Sequence, residues 1–235
     1  MSKILAHQVS YFLNLALRTK MDRFTISICG SKLMLTATAT DRAVYVQSST
    51  EKDRKCDKHQ KMDYNFSKDQ IKSMAKFFGA QAPLDVVTVA HTPADLGLTF
   101  QANGKNLDLV NQRGEPLDFT VKAVSGFVTV DKDMLSGALR QLIPYNLNRI
   151  SLSVRDRLLT LKDMSLKDMS LSVLRASSPD VSIDASVNDA AYLYNAVLTM
   201  REDWGDITMC LGTCLGQQYL CLKHSNHGIF LPIVK

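Results

Sequence analysis

Much that would mark this chain as an enzyme or a membrane protein is missing from it. No apolar run in its 235 residues approaches the roughly 20 that a membrane-spanning helix needs. The N-terminal MSKILAHQ lacks the charged, apolar and small-residue layout of a signal peptide. No glycine-rich phosphate loop ends in Gly-Lys-Ser or Gly-Lys-Thr, and there is no GxGxxG, HExxH or Gly-x-Ser-x-Gly. His7, His59 and His91 stand apart from any nucleophile in sequence, and the carboxylates are scattered rather than clustered as a metal-dependent nuclease requires. The expectation is a protein that is not an enzyme, with no catalytic residue, cofactor or metal. Five cysteines, an odd number, do not suggest a disulfide framework; they fit a reducing, cytoplasmic setting and a soluble protein.

What is present is a repeat. With 46% hydrophobic residues the chain can bury a substantial core. Residues 1–118 run as amphipathic helix, strands, second helix and strands, and residues 130–235 run through the same order. Met21–Ser49 lies against Leu147–Ser178 as alternating hairpin-like segments, and Asn65–Val89 lies against Asp184–Met209 with Ser67 and Ser186 in the same place. The expected organisation is α+β: one domain over 1–118, a connector over 119–129, and a second domain over 130–235.

Four helices carry the pattern. About Ile4–Lys20 places Leu5, Val9, Phe12, Leu13, Ala16 and Leu17 on one stripe. The second opens on a Ser67–Gln70 capping box, buries Ile71, Met74, Ala75 and Phe78, and stops at Gly79, with Lys68, Lys72 and Lys76 along its flank. The third, about Lys132–Ile143 behind the cap Asp131, has Lys132 and Arg140 on its exposed side, and the fourth spans about Val187–Arg201. Lysines spaced by four share one strip of a helix, and such a strip either faces solvent or tracks phosphates without reading bases.

From Ser186 onward the sequence resembles the last domain of a bacterial beta-type DNA sliding clamp. Asp189 and Tyr192 open a Leu-rich helix, Glu202–Asp206 bends, Ile207–Leu211 is a strand, and Phe230-Leu231-Pro232-Ile233 closes the chain. Ala39-Thr40-Asp41-Arg42 is similar to the end of the family's first-repeat strands. The resemblance implies tandem clamp-type domains of the DNA-clamp fold, each with two helices packed on antiparallel sheets as βαβββ repeats. Six such domains close a ring around duplex DNA, so a chain with room for two implies a homotrimer, as in phage and eukaryotic clamps. Further implied are sequence-independent contacts to duplex DNA from Arg18, Lys68, Lys72, Lys76, Arg140 and Arg201, and a clamp loader. A groove would hold a DNA polymerase through a short peptide, with Tyr192, Ile229, Leu231, Pro232 and Ile233 matching its positions and Arg42 and Val44 near it.

One feature departs from the family pattern: the chain carries a net charge of +5. Sixteen basic against twelve acidic residues give positions 1–118 a net +4, much of it in Glu51–Met62, which reads as an exposed loop. A basic surface opens an alternative, a monomeric accessory subunit of the same fold that holds DNA by charge. Cys210, Cys214, Cys221, His224 and His227 are zinc-ligand types, but their spacing matches no common zinc motif, which favours packed thiols. The tandem LKDMS at Leu161–Ser170 has an odd period and predicts a hairpin whose turn lies within the duplication.

Overall fold

The computed structural model describes residues 2–41, 44–50, 61–92, 96–142, 149–163, 168–188, 190–199, 205–224 and 226–234. The chain divides into two compact units, one of Met1–Asp41 with Tyr45–Asp118, the other of Phe119–Lys235 with Arg42–Val44.

The first unit runs β1 (Ser2–Leu5), α1 (Ala6–Arg18), β2 (Arg23–Cys29), β3 (Lys32–Ala39), β4 (Val44–Ser49), β5 (Lys61–Phe66), α2 (Lys68–Gly79), β6 (Val86–His91), β7 (Gly97–Ala102) and β8 (Lys105–Val110). Its strands lie in the orders β1-β6-β7-β8 and β4-β3-β2-β5. This is βαβββ twice over, each sheet taking one strand from one motif and three from the other. Alternating side chains bury one face of each strand. The helices cover that face: α1 packs on α2, and α2 also touches β2 and β8, one strand of each sheet.

The second unit repeats the plan: β9 (Lys122–Asp131), α3 (Lys132–Leu142), β10 (Arg149–Arg155), β11 (Leu158–Asp163), β12 (Asp168–Ser172), the two-residue β13 (Arg175–Ala176), β14 (Ile183–Asn188), α4 (Ala190–Thr199), β15 (Asp206–Cys214), β16 (Gln217–His224) and β17 (His227–Pro232). Its orders are β12-β11-β10-β14 and β13-β9-β15-β16-β17, the first unit's topology with β13 added. The α+β architecture of βαβββ repeats is therefore present in both halves.

Local chemistry explains the helix ends. Ser67 Oγ accepts from Gln70 N at 3.3 Å while Gln70 Oε1 accepts from Ser67 N at 2.9 Å, satisfying two otherwise orphaned donors. Behind this cap Ile71, Met74 and Phe78 are buried, each such side chain contributing about 1.5–3 kcal/mol. Asp131 Oδ1 accepts from Met134 N at 2.8 Å and starts α3 as expected.

Several expectations need correction. Residues 2–5 form a strand paired to β6 rather than the start of the first helix, because SKIL is too short to show an alternation. Val187 belongs to β14 and the fourth helix begins only at Ala190, so Ser186, paired with Ser151, does not match the helix cap Ser67. Lys132 is 9% exposed rather than on the open side of α3. Much of the expected connector is strand, since β9 begins at Lys122. Cys29 is disulfide-bonded, whereas the odd cysteine count did not suggest a disulfide framework. The duplicated LKDMS does form a hairpin, with Leu161 opposite Met169 and Lys162 opposite Asp168. Of the expected Glu51–Met62 loop, residues 51–60 lie outside the described residues, and Lys61 and Met62 open β5.

Candidate nucleic-acid face and peptide groove

In the first unit the helix pair carries four of the expected cations. Arg18 stands exposed in the last turn of α1, and Lys68, Lys72 and Lys76 stand exposed along α2. Lys72 is not free: its Nζ meets Asp69 Oδ1 at 2.9 Å. That hydrogen bond, and the Lys72 charge with it, holds the Asp69 carboxyl below the usual carboxylate range, with Lys68 adding a smaller pull. In the second unit Arg140 is exposed in the last turn of α3. Arg201 lies outside the described residues. A strip of mobile ammonium groups at four-residue spacing can follow a phosphate backbone and carries no base readout.

The positions matched to a peptide groove split by face. Ile229 and Leu231 are 0% and 2% exposed and sit opposite Leu222 and Leu220, on the apolar side of β17. Tyr192 and Val44 are also buried. Pro232 and Ile233 are half-buried, and Arg42 lies outside the described residues. Side chains alternate along a strand, so Phe230 and Pro232 share the other face. There Phe230 meets Phe119 edge-on at 5.1 Å between ring centroids, and Phe119 meets Tyr219 at 5.3 Å. The sequence reading named Phe230 in the closing segment but gave none of these three aromatic residues a place in the groove. The signal available to it was Phe119 in the segment expected to link the halves, and Phe230 two places before Pro232.

Beyond Pro232 the chain is pinned on two sides. Ile233 N donates to Gln218 O at 2.9 Å, Val234 N donates to Ser186 O at 2.8 Å, and Val187 bridges Ile233. Beside this tail is a concavity of about 610 Å³ walled by Ile233 and Val234 and floored by hydroxyls of β10, β11 and β14, with Arg155 and Lys162 among its charged groups. A smaller cavity of about 270 Å³ in the first unit is lined by Arg23, Asn65 and Glu115 among others. Among the described residues no three His, Cys, Asp or Glu side chains gather as metal ligands. Cys210, Cys214 and Cys221 are buried free thiols, and His224 Nδ1 pairs with Asp206 O at 2.9 Å. No helix among the described residues is long and apolar enough to cross a membrane.

No protein-family model matches the chain, and no curated protein matches its sequence. Solved structures do match over its whole length. A DNA polymerase sliding clamp from Pseudomonas aeruginosa superposes with a TM-score of 0.73 at 10% identity, covering 99% of this chain and 65% of that one. PCNA from Thermococcus kodakaraensis superposes with a TM-score of 0.71 at 13% identity, and the two cover 99% and 98% of each other. A. fulgidus PCNA, solved with the C-terminal region of FEN-1 bound, gives 0.68 at 10% identity over 100% of this chain and 98% of that one. The fold is that of the DNA sliding clamps. This chain spans about two thirds of the bacterial clamp and nearly all of either PCNA. The sliding-clamp fold puts both helix pairs, and with them the exposed cations, on scaffolds of antiparallel sheet.

Proposed function

We propose that the chain is a DNA polymerase processivity factor, a sliding clamp whose copies close around duplex DNA and tether the replicative polymerase and other clients. The observation that carries this reading is the end-to-end correspondence with the PCNA chains, reached in two topologically equivalent units, Met1–Asp41 with Tyr45–Asp118 and Phe119–Lys235 with Arg42–Val44. Two clamp domains per chain, linked through the residues ahead of β9, make a homotrimer the six-domain ring. Two strand edges support closure: β8 ends one sheet of the first unit and β12 ends one sheet of the second. Open edges attract pairing, and a cyclic assembly removes them.

In this ring Arg18, Lys68, Lys72, Lys76, Arg140 and Arg201 contact phosphates without sequence preference, which permits sliding. Enclosure holds the ring on DNA, so these contacts can stay weak, and no catalytic group is needed. Client peptides dock beside the tail, on Pro232 and Ile233 and the aromatic face of Phe119, Tyr219 and Phe230, with Arg42, Val44, Tyr192, Ile229 and Leu231 forming and backing the groove. The A. fulgidus PCNA seen with the C-terminal region of FEN-1 supports peptide capture by this fold. A loader is the expected further partner, and the cell interior the expected place of action.

The net charge of +5 favours a second reading, a monomeric subunit that holds DNA by charge alone. Light-scattering mass separates the two. A clamp is expected at three times 26.2 kDa, and to stay on nicked circular DNA at salt concentrations that release it once the DNA is cut. A monomer whose binding to linear DNA falls steeply with salt supports the second reading and removes the first.

A further inference from the structure

The geometry points to a modification site that neither fold nor proposed function uses: Cys210 and Cys221 form a reversible dithiol–disulfide pair that takes a two-electron oxidant such as a hydroperoxide. The two residues lie directly opposite one another on β15 and β16. These strands are joined by the two-residue turn Leu215-Gly216, whose φ values are 48° and 81°, so Cys214 and Gln217 close the hairpin as a hydrogen-bonded pair. Pairs alternate along an antiparallel ladder, which makes Cys210 and Cys221 hydrogen-bonded as well, with Cα atoms about 5.5 Å apart. That separation suits a disulfide, although the Cβ atoms of such a pair are wide for one, and the resulting strain makes the bond easy to reduce. Cys214 faces Gln217 and has no thiol opposite it.

The two side chains leave the same face of the hairpin. Cys221 Sγ donates its one proton to Tyr219 O at 3.7 Å, and the two thiols, facing one another across the ladder, shift each other's ionisation. The neighbouring Cys221 side chain brings the Cys210 thiol down to about 7 against the opposing effect of burial, and the nearby Lys223 ammonium assists. The Cys210 side chain, with burial, pushes Cys221 up. Cys210 is the less enclosed of the two and lies beside the irregular stretch of β9, which makes it the nucleophile and Cys221 the resolving thiol. Both are shielded, at 5% and 0% exposed, but β9 bulges beside Cys210. Between Cys210 and Gly212 the partner strand runs from Phe127 to Ala123, two residues more than β15, and the extra backbone at Val124–Gly126 is exposed or half-buried. An oxidant enters by local opening there.

The chemistry balances. The Cys210 thiolate attacks one oxygen of the peroxide, the O–O bond breaks, and protonation of the leaving hydroxide gives water and a sulfenic acid. Cys221 sulfur then attacks the Cys210 sulfur, the S–O bond breaks, and the departing hydroxide takes the Cys221 proton as a second water. Two thiols and one hydrogen peroxide become one disulfide and two waters. The consequence reaches the aromatic face. A Cβ placed on Gly212 would lie 2.2 Å from Val121 Cγ1 and 3.0 Å from Cys221 Sγ, so valine and sulfur crowd the same gap two residues from Phe119. Drawing the sulfur toward Cys210 changes what that segment rests on.

The site stands whether or not the chain is a clamp. The test treats the full chain with hydrogen peroxide, alkylates remaining thiols, and maps chymotryptic peptides without reduction, since cleavage between the cysteines separates them. A Cys210–Cys221 cross-link that dithiothreitol reverses is expected, with Cys214 still alkylated, and C210S should leave Cys221 a free thiol. Sulfinic acid at Cys210 beside an alkylated Cys221, a cross-link through Cys214, or thiols that react only after unfolding in urea would each overturn it. Equilibrating the unsubstituted chain in dithiothreitol buffers of graded potential, and quantifying the Cys210–Cys221 peptides apart from those of disulfide-bonded Cys29, reads the same pair should C210S not fold.

Discussion

Two glycines show how differently one residue type is used. At Gly97 a Cβ would sit 1.9 Å from the carbonyl oxygen of Leu109, which is backbone and cannot swing aside. Gly97→Ala is expected to cost about 3 kcal/mol in urea unfolding, the upper end of overpacking effects. Gly137 lies within α3 with nothing within 4 Å of its Cβ direction. Gly137→Ala should instead stabilise by about 1 kcal/mol, because it removes the entropy that glycine carries in a helix. Equal effects at the two positions would mean that local sterics do not control stability there. Leu215 is a third case, 96% exposed at φ 48° in the tip of the β15–β16 hairpin. The turn wants asparagine before Gly216, and an exposed leucine gains nothing from burial. Leu215→Asn should raise stability by about 1 kcal/mol, read as a higher melting temperature; a lower one would show that the leucine has a partner in the folded chain.

At the scale of elements, what could be read from sequence depended on whether a signal was local. The Ser67–Gln70 box and the Asp131 cap were legible because capping is decided within four residues. The LKDMS hairpin was legible because an odd period cannot keep one face inward. The strand Ser2–Leu5 was hidden because its partner, β6, is more than eighty residues away. The buried Lys132 was misread because helical phase alone does not say how deep an element sits. The aromatic face of Phe119, Tyr219 and Phe230 was hidden for the same reason as β1, since its members meet only in the fold. On α2 the sequence named the lysines but not their partner: Asp69 engages Lys72 at 2.9 Å. If this helix meets DNA, Asp69→Asn frees Lys72 and removes a negative charge from the strip. Binding should tighten several-fold at low salt, and the slope of log affinity against log salt should steepen by up to about 0.9, the share of one phosphate contact. Alanine at Lys68, Lys72 and Lys76 should flatten the same slope by about 0.9 for each lysine that meets a phosphate. A slope that none of these changes alters would place the DNA elsewhere.

At the scale of the whole molecule, the repeat was visible in sequence as an order of elements, and the structure adds which edges that order leaves open. On β8 the turn at Asn103-Gly104, with φ 49° and 72°, makes Ala102 and Lys105 a hydrogen-bonded pair. Alternation then gives Leu107 and Leu109 to β7 and turns the backbone of Asn106 and Asp108 outward, along an edge that β7 does not use. The proposed ring needs that edge and the folded chain does not, so a change confined to it should separate assembly from folding. Asp108→Pro removes one outward N–H while leaving the bonds to β7 in place, and its loss of the 2.6 Å hydrogen bond from Thr99 Oγ1 is an exposed, minor cost. Val110→Lys puts a charge on the same strand at a side chain 63% exposed. Both variants are expected to run as folded monomers with melting transitions close to that of a diluted, dissociated parent, and to lose retention on nicked circular DNA while keeping salt-sensitive binding to linear duplex. A trimer that survives both changes would move the interface away from β8. A monomeric parent would leave the charge-based reading in place of the ring, because then +5 on one chain must do what enclosure was proposed to do.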